Sequence, residues 1–384
     1  MKNQNRLAPC LALAVLAALP AISSADGVEV VTGLNLPVDL LVTSGGHLLI
    51  AEGGEATPNT GRLSLSDLAG NRRTLLDGLP SGPAPDNVQG PAGVQLSPNG
   101  KRLRLAIGTG DSTVLAGDPE SEIPNPMGPS SPIFSSLLRI DFSVAVDHVH
   151  SAFSLTLADH YTLANGFPVT LENADGDKAT LEVTTDFRDI IRDLNAGLPV
   201  RSNPFGLDAG PVQAFVTDAS RNSIERVNLK TGARQQLAVF DFVPNPLPFG
   251  PPLLEPVPTG VARFQGDLLV ALETGFPFPQ GVAEIVRVDA KTGATTPFIT
   301  GLTQALDVLP VFAPGQGHQF YVVELSTDLL TAAPGRLLRF DSPTGTPTVI
   351  CDTLQFPSSV ARDPQSGDFF VTQSFAGSVV RISP

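Results

Sequence analysis

Glu52, Asp218, Glu324 and Gln373 each close a short apolar run: "LLIAE" (48–52), "AFVTD" (214–218), "FYVVE" (320–324) and "FFVTQ" (369–373). Asp39 and Asp307 stand third in the units "PVDL" and "ALDV", and Asn203 immediately precedes the related unit "PFGL". Carboxylates and amides brought to one point are ligands for a hard cation such as Ca²⁺, with Glu52, Asp218, Asp307 and Glu324 as the candidate metal set. A cation held there would polarise a carbonyl or activate water, the chemistry of a hydrolase or lactonase. The same residues have a plainer reading, because acids at strand exits also cap turns and face water. Several ionised carboxylates on one axis would repel unless hydrated, protonated or bridged.

A second candidate surface is "TGFPFPQG" (274–281), where two prolines hold Phe276 and Phe278. Such a loop offers a stiff apolar lip to a planar aromatic ligand, or it packs on a neighbour and serves geometry. Glu273 precedes it, one residue out of step with the other acids, so strict alternation turns it away from their column. Asn222 ends the polar stretch Asp218-Ala-Ser-Arg-Asn222, which reads as a ligand-contacting loop or an Asx-type turn.

The elements that must position these residues repeat. A Pro-x-(Asp/Gly/Ser)-apolar unit, read as a turn, recurs as "PVDL" (37), "PAGV" (91), "PFGL" (204), "PTGV" (258) and "PSSV" (357), with "ALDV" (305) lacking the proline. Each is followed by a second apolar strand, a third such as "GRLSLSD" or "LLRFD", and in most copies a fourth. Four strands per unit and six units predict an all-β, six-bladed β-propeller. The last copy stops after its third strand, and "VEVVTGL" (28–34) resembles the missing fourth, so the N-terminal strand is expected to complete the last blade. Small residues at the third position suit inner strands converging on an axis. Residues at about 144–200 break the period as an insertion. Within them a hairpin is expected around Asp175-Gly176 and a short helix over 184–194.

"SNPFGL" (202–207), "FVTDASRNSIERV" (215–227), "PVPTGVA" (256–262), "TGFPFPQGVAEIVRV" (274–288) and "GLTQALDV" (301–308) together resemble the ScyD/ScyE-type propellers. The Gly-Phe-Pro-Phe-Pro segment is the most specific part. The resemblance covers most of 26–384 and implies an exported propeller without a settled activity. Pro37-Val38-Asp39-Leu40 departs from that family's Pro-Arg-Gly-Leu opening, and Leu272-Glu273 from its Glu-Leu.

Residues 1–25 read as a signal peptide: Lys2 and Arg6, an apolar stretch from Leu7 to Ile22, then Ser23-Ser24-Ala25. Cleavage near Ala25 predicts a periplasmic or extracellular propeller over 26–384, expected to be monomeric and without a transmembrane segment. The formal charge of −14 disfavours nucleic acid and anionic lipid as partners. Cleavage leaves Cys351 alone, so no internal disulfide is expected. No G-x-S-x-G, H-E-x-x-H or phosphate-binding glycine loop is present. A quinone-dependent dehydrogenase needs a basic residue and a histidine on the axial face, and neither is evident. His148-x-His150 with Asp147 and His160 is a weak zinc pattern. These residues favour a scaffold that binds a small molecule or protein at the axial face, with metal-dependent hydrolysis as the alternative.

Overall fold

The computed structural model describes residues 27–383, apart from 85–86, 117–120, 189–190 and 193–198. The expected leader lies outside the described residues. Six antiparallel sheets stand around an axis as blades 1 to 6. Their inner strands are Pro37–Val42, Pro91–Leu96, Pro204–Ala209, Pro258–Phe264, Ala305–Ala313 and Pro357–Arg362. Neighbouring inner strands contact one another all the way round. Val28–Val31 pairs with Ser378–Ile382 as the fourth strand of blade 6, so the ring closes as expected.

Second strands are buried on both faces, because each blade is sandwiched between two others. They therefore read as continuous apolar runs rather than alternating ones. Leu49 packs with Leu63, Leu103 and Leu105 between blades 1 and 2. Its neighbours Leu48 and Ile50 face the other way, against Phe370 and Val379 of blade 6.

The Pro-x-(Asp/Gly/Ser) units are not turns. Each opens an inner strand, and each inner strand slips register against its second strand at that point. Space explains the small residues. A Cβ on Gly206 would lie 2.2 Å from the carbonyl oxygen of Thr259 in blade 4. One on Gly260 would lie 2.5 Å from Oδ1 of Asp307 in blade 5.

Residues 144–188 of the expected insertion are built onto blades 1 and 2. The hairpin expected at Asp175-Gly176 is present, Val169–Glu172 pairing with Lys178–Asp186. Its second arm also pairs with Ser136–Phe142 and is the fourth strand of blade 2. The helix expected from 184 does not start there, because the strand runs on through Asp186. β-Branched Thr185 pairs with Leu137, and its hydroxyl donates to the Gly232 carbonyl. The helix is instead Leu157–Ala164, capped by Thr156 and Asp159. His160 docks it. Its Nε2 donates to the Gly78 carbonyl at 2.8 Å, and its Nδ1 lies 3.0 Å from the Ser131 hydroxyl, with no side-chain exposure. Both ring nitrogens are occupied, and His148 and His150 are exposed around a 3₁₀ turn, so no zinc site forms here.

Gly206→Ala tests the close approach at the axis. It is expected to destabilise the fold by about 1–3 kcal/mol, read as a lower urea midpoint at unchanged slope.

Candidate functional site

One backbone bond recurs in all six blades where the second strand ends and the inner strand begins. The residue after the second strand donates its N–H to the carbonyl just before the inner strand. The pairs are Gly53 to Leu36, Gly108 to Gly90, Ala219 to Asn203, Glu273 to Val257, Leu325 to Gln304 and Ser374 to Phe356, at 2.8–3.1 Å. Four of the accepting residues, Leu36, Val257, Gln304 and Phe356, have φ between 47° and 52°. That left-handed conformation is costly for any residue with a Cβ, most of all for β-branched Val257. This face of the ring, called the upper face below, is where the sequence places its candidate ligands.

The acids and amides expected to face a ligand hold these entries instead. Glu52 is fully buried. Its Oε2 accepts from the Asn35 amide at 2.6 Å and from Arg62 at 2.7 Å, and its Oε1 accepts from the Ser64 hydroxyl. Glu324 is equally buried and repeats the pattern with the Thr303 amide at 2.8 Å and Arg336. Oε1 of Gln373 accepts from the Gln355 amide at 2.5 Å. Asp218 accepts from the Asn203 amide at 2.8 Å and from the Ser202 hydroxyl. Burial pushes its carboxyl above the usual range, against those hydrogen bonds. Strand register aligns Ile107 and Leu272, not Gly108, with these four residues. In blade 4, where Leu272 bears no acceptor, the Val257 amide donates to Asn222 Oδ1 at 3.1 Å, reaching across from blade 3. Asn203 Oδ1 accepts from the Thr109 amide at 3.1 Å, linking blades 2 and 3. Every one of these side chains is engaged within the ring.

The candidate metal set is therefore not assembled. Glu52, Asp218 and Glu324 are buried in separate blades. Among the described residues no group of three or more His, Cys, Asp or Glu side chains could hold a metal ion.

Asp39 and Asp307 are brought together, and through a residue the sequence reading did not single out. The Ser359 hydroxyl of blade 6 lies 2.7 Å from Asp39 Oδ1 and 3.0 Å from Asp307 Oδ2. Each aspartate also accepts the amide of the next blade, Val94 for Asp39 at 2.8 Å and Val360 for Asp307 at 3.0 Å. Ser359 fills the third position of "PSSV", the equivalent of Asp39 in "PVDL" and Asp307 in "ALDV"; that shared position was the available signal.

Phe276 remains exposed and Phe278 is half-buried. Pro277 and Pro279 are buried beneath them. Phe276 is 51% exposed and meets Phe278 edge-on at 5.8 Å and Phe249 at 6.5 Å between ring centres. The loop is fixed from below by buried Gln304, whose Nε2 donates to the carbonyls of Glu273 and Thr274. Glu273 contributes that carbonyl and its amide to the clamp. The proline-rich connection beside it folds back on Asn245, which donates to the carbonyls of Phe249 and Pro251. On blade 6 the corresponding loop carries Phe375, 62% exposed and 5.1 Å from Phe356. Leu330, 55% exposed, tops blade 5 between them. The upper face of blades 4 to 6 is thus studded with exposed apolar side chains on braced loops. Cavities of about 360 and 400 Å³ open at the rim, between the outer parts of blades 2 and 3 and of blades 4 and 5.

No protein-family model matches the chain, and no curated protein matches its sequence. Solved structures do match in fold. A putative phosphatase from Bacteroides thetaiotaomicron aligns at 11% identity with a TM-score of 0.51, over 92% of this chain and 72% of that one. An auxiliary nutrient binding protein from the same organism aligns at 10% identity and 0.51, over 91% and 69%. A streptogramin B lyase aligns at 14% identity and 0.44, over 93% of this chain and 96% of that one. At such identities these likenesses show the fold alone.

Truncating Glu324 separates a structural clamp from a metal ligand. Glu324→Ala leaves Arg336 and the Thr303 amide without their acceptor and is expected to cost about 3–5 kcal/mol. Glu324→Gln, which still accepts from Thr303, is expected to cost clearly less. Thermal and urea unfolding of both variants check the order.

Proposed function

We propose that this chain is an exported, non-catalytic binding propeller, and that it takes an apolar, aromatic-bearing ligand on the upper face of blades 4 to 6. The observation that carries the reading is the exposure of Phe249, Phe276 and Phe375 on loops held by hydrogen bonds, from buried Gln304 under Phe276, from Asn245 at Phe249 and from Ser374 beside Phe375. Large apolar side chains grouped on a rigid surface mark a recognition site. A stiff loop also lowers the ordering cost of binding. The ScyD/ScyE resemblance supports the same surface, since the Gly-Phe-Pro-Phe-Pro segment is its most specific part. The leader read in residues 1–25 supports export. Among the described residues no helix is long and apolar enough to cross a membrane. The geometry favours this reading over metal-dependent hydrolysis, because Glu52, Asp218 and Glu324 are buried in separate blades and only Asp307 meets another carboxylate, Asp39.

The test is a thermal-shift screen of planar aromatic compounds against the wild-type protein and a Phe249→Ser/Phe276→Ser variant. A ligand of the native state raises the melting temperature by mass action. The expected outcome is a hit that stabilises the wild type and not the variant, whose unliganded melt stays near wild type. Hits that act equally on both place the site elsewhere. Excess Ca²⁺ and EDTA are expected to leave the wild-type melt unchanged, and a Ca²⁺-dependent rise would restore the metal reading.

A further inference from the structure

Ser359 stands between two carboxylates with one hydrogen to give. A serine hydroxyl carries a single donor, and an ionised carboxylate carries none. Its oxygen nevertheless lies within hydrogen-bond distance of Asp39 Oδ1 and Asp307 Oδ2, at 2.7 and 3.0 Å. With both aspartates ionised, one of those contacts sets lone pair against lone pair. With one aspartate protonated, both contacts become hydrogen bonds. The acid donates to the serine oxygen, and the serine hydrogen goes to the remaining carboxylate. The far carboxylate oxygens accept the Val94 amide at Asp39 and the Val308 amide at Asp307, and the two oxygens that face Ser359 each accept one backbone amide as well, from Leu40 and Val360.

Among the described residues no cation is paired with either aspartate. The inner strands of blades 1, 2 and 5 contain no Lys, Arg or His. Arg263 and Arg362 stand at the far ends of their inner strands; Arg263 is paired with Asp208, and Arg362 lies over Phe369. On the adjoining second strands, Glu52 and Glu324 hold Arg62 and Arg336 at the upper end, and Asp218 holds backbone and serine donors. His318 stands at the opposite end of its strand beside Phe264 and Phe312. Arg102 pairs with Asp141, Arg104 bonds Thr184, and Asp267 pairs with Arg287. Against Asp307 on the blade 4 side lies Gly260, which has no side chain.

We propose that Asp39, Ser359 and Asp307 hold one shared proton at neutral pH, and that this proton fastens blades 5, 6 and 1 at the seam where the ring closes. Ser358 and Ser374 reach the Pro37 carbonyl across the same seam, so the triad belongs to the closure itself. The electrostatics agree. Burial first, then the charge of Asp307, raises the Asp39 carboxyl to about 7 from its ordinary 3.8, and burial raises Asp307 as well. The sign follows by linkage. Between about 4 and 7 the folded chain keeps a proton that the unfolded chain has lost, so the contribution fades as pH rises through that window and is gone above it.

Melting temperatures of the wild type and Asp39→Asn from pH 4 to 9 test this. Asparagine supplies a permanent donor toward Ser359 Oγ, but its nitrogen cannot accept the Leu40 amide as Asp39 Oδ1 does, so the variant starts at pH 4 with an offset of its own. From there it should gain several degrees on the wild type up to about pH 7, and the difference should stay constant above pH 8. A difference that does not change with pH overturns the proposal. Carboxyl ¹³C NMR of the unmodified protein gives a second reading that needs no variant. One of the two aspartates is expected to titrate near neutrality. If both titrate below pH 5, no proton is shared.

Discussion

The inner strands of this ring converge on an axis, and each must be entered from the loop above it by a sharp change of direction. In blades 1, 4, 5 and 6 that change places Leu36, Gln304, Phe356 and even Val257 in the left-handed region. Backbone groups at such a corner cannot use the sheet ladder, yet the corner residues are buried or half-buried and need partners. The fold answers with a main-chain bond in every blade and, in most, a polar side chain from the end of the second strand. Glu52, Asp218, Glu324 and Gln373 are tethers for that corner.

The functional reading follows from the same constraint. Side chains that look like an axial ligand set are occupied by amides, hydroxyls and arginines of their own or neighbouring blades, which leaves the loops beyond the corner as the surface that differs from blade to blade. On blades 4 to 6 those loops carry phenylalanine and leucine; the second-to-third-strand loop of blade 1, "GGEATPNT", carries none. Gln304 ties the two levels together, since the residue that makes the strained corner of blade 5 also clamps the Phe-Pro loop of blade 4. A loop so held presents its phenylalanines without ordering them first.

Much of this was legible in the sequence. Six copies of an apolar strand pattern, and a first strand resembling a missing fourth, are consequences of blade packing, so the ring and its closure could be read directly. The candidate residues were placed at the strand exits with two readings, ligand set or turn cap, and the hydrogen bonds of Glu52, Asp218, Glu324 and Gln373 follow the second. Whether Glu52 meets a ligand or Arg62 depends on a cross-strand neighbour, and that pairing was written in "GRL", which opens the third strand in the two blades that carry a glutamate. Ser359 escaped notice because a serine beside two aspartates becomes informative only when three distant segments are placed around one axis. The helix expected from Thr184 does not start there for a related reason: "TTDFRD" has local helix-start chemistry, but the open edge of blade 2 takes residues 184–186 as the end of a strand.

Amide hydrogen exchange of the Thr303 N–H in Glu324→Ala, compared with wild type, tests the central claim most directly. If the carboxylate tethers the entry to blade 5, protection at Thr303 and its neighbours falls sharply, while the entries at Asn35 and Gln355 keep theirs. Unchanged protection at Thr303 would contradict the account and return Glu324 to the list of groups free to serve a ligand.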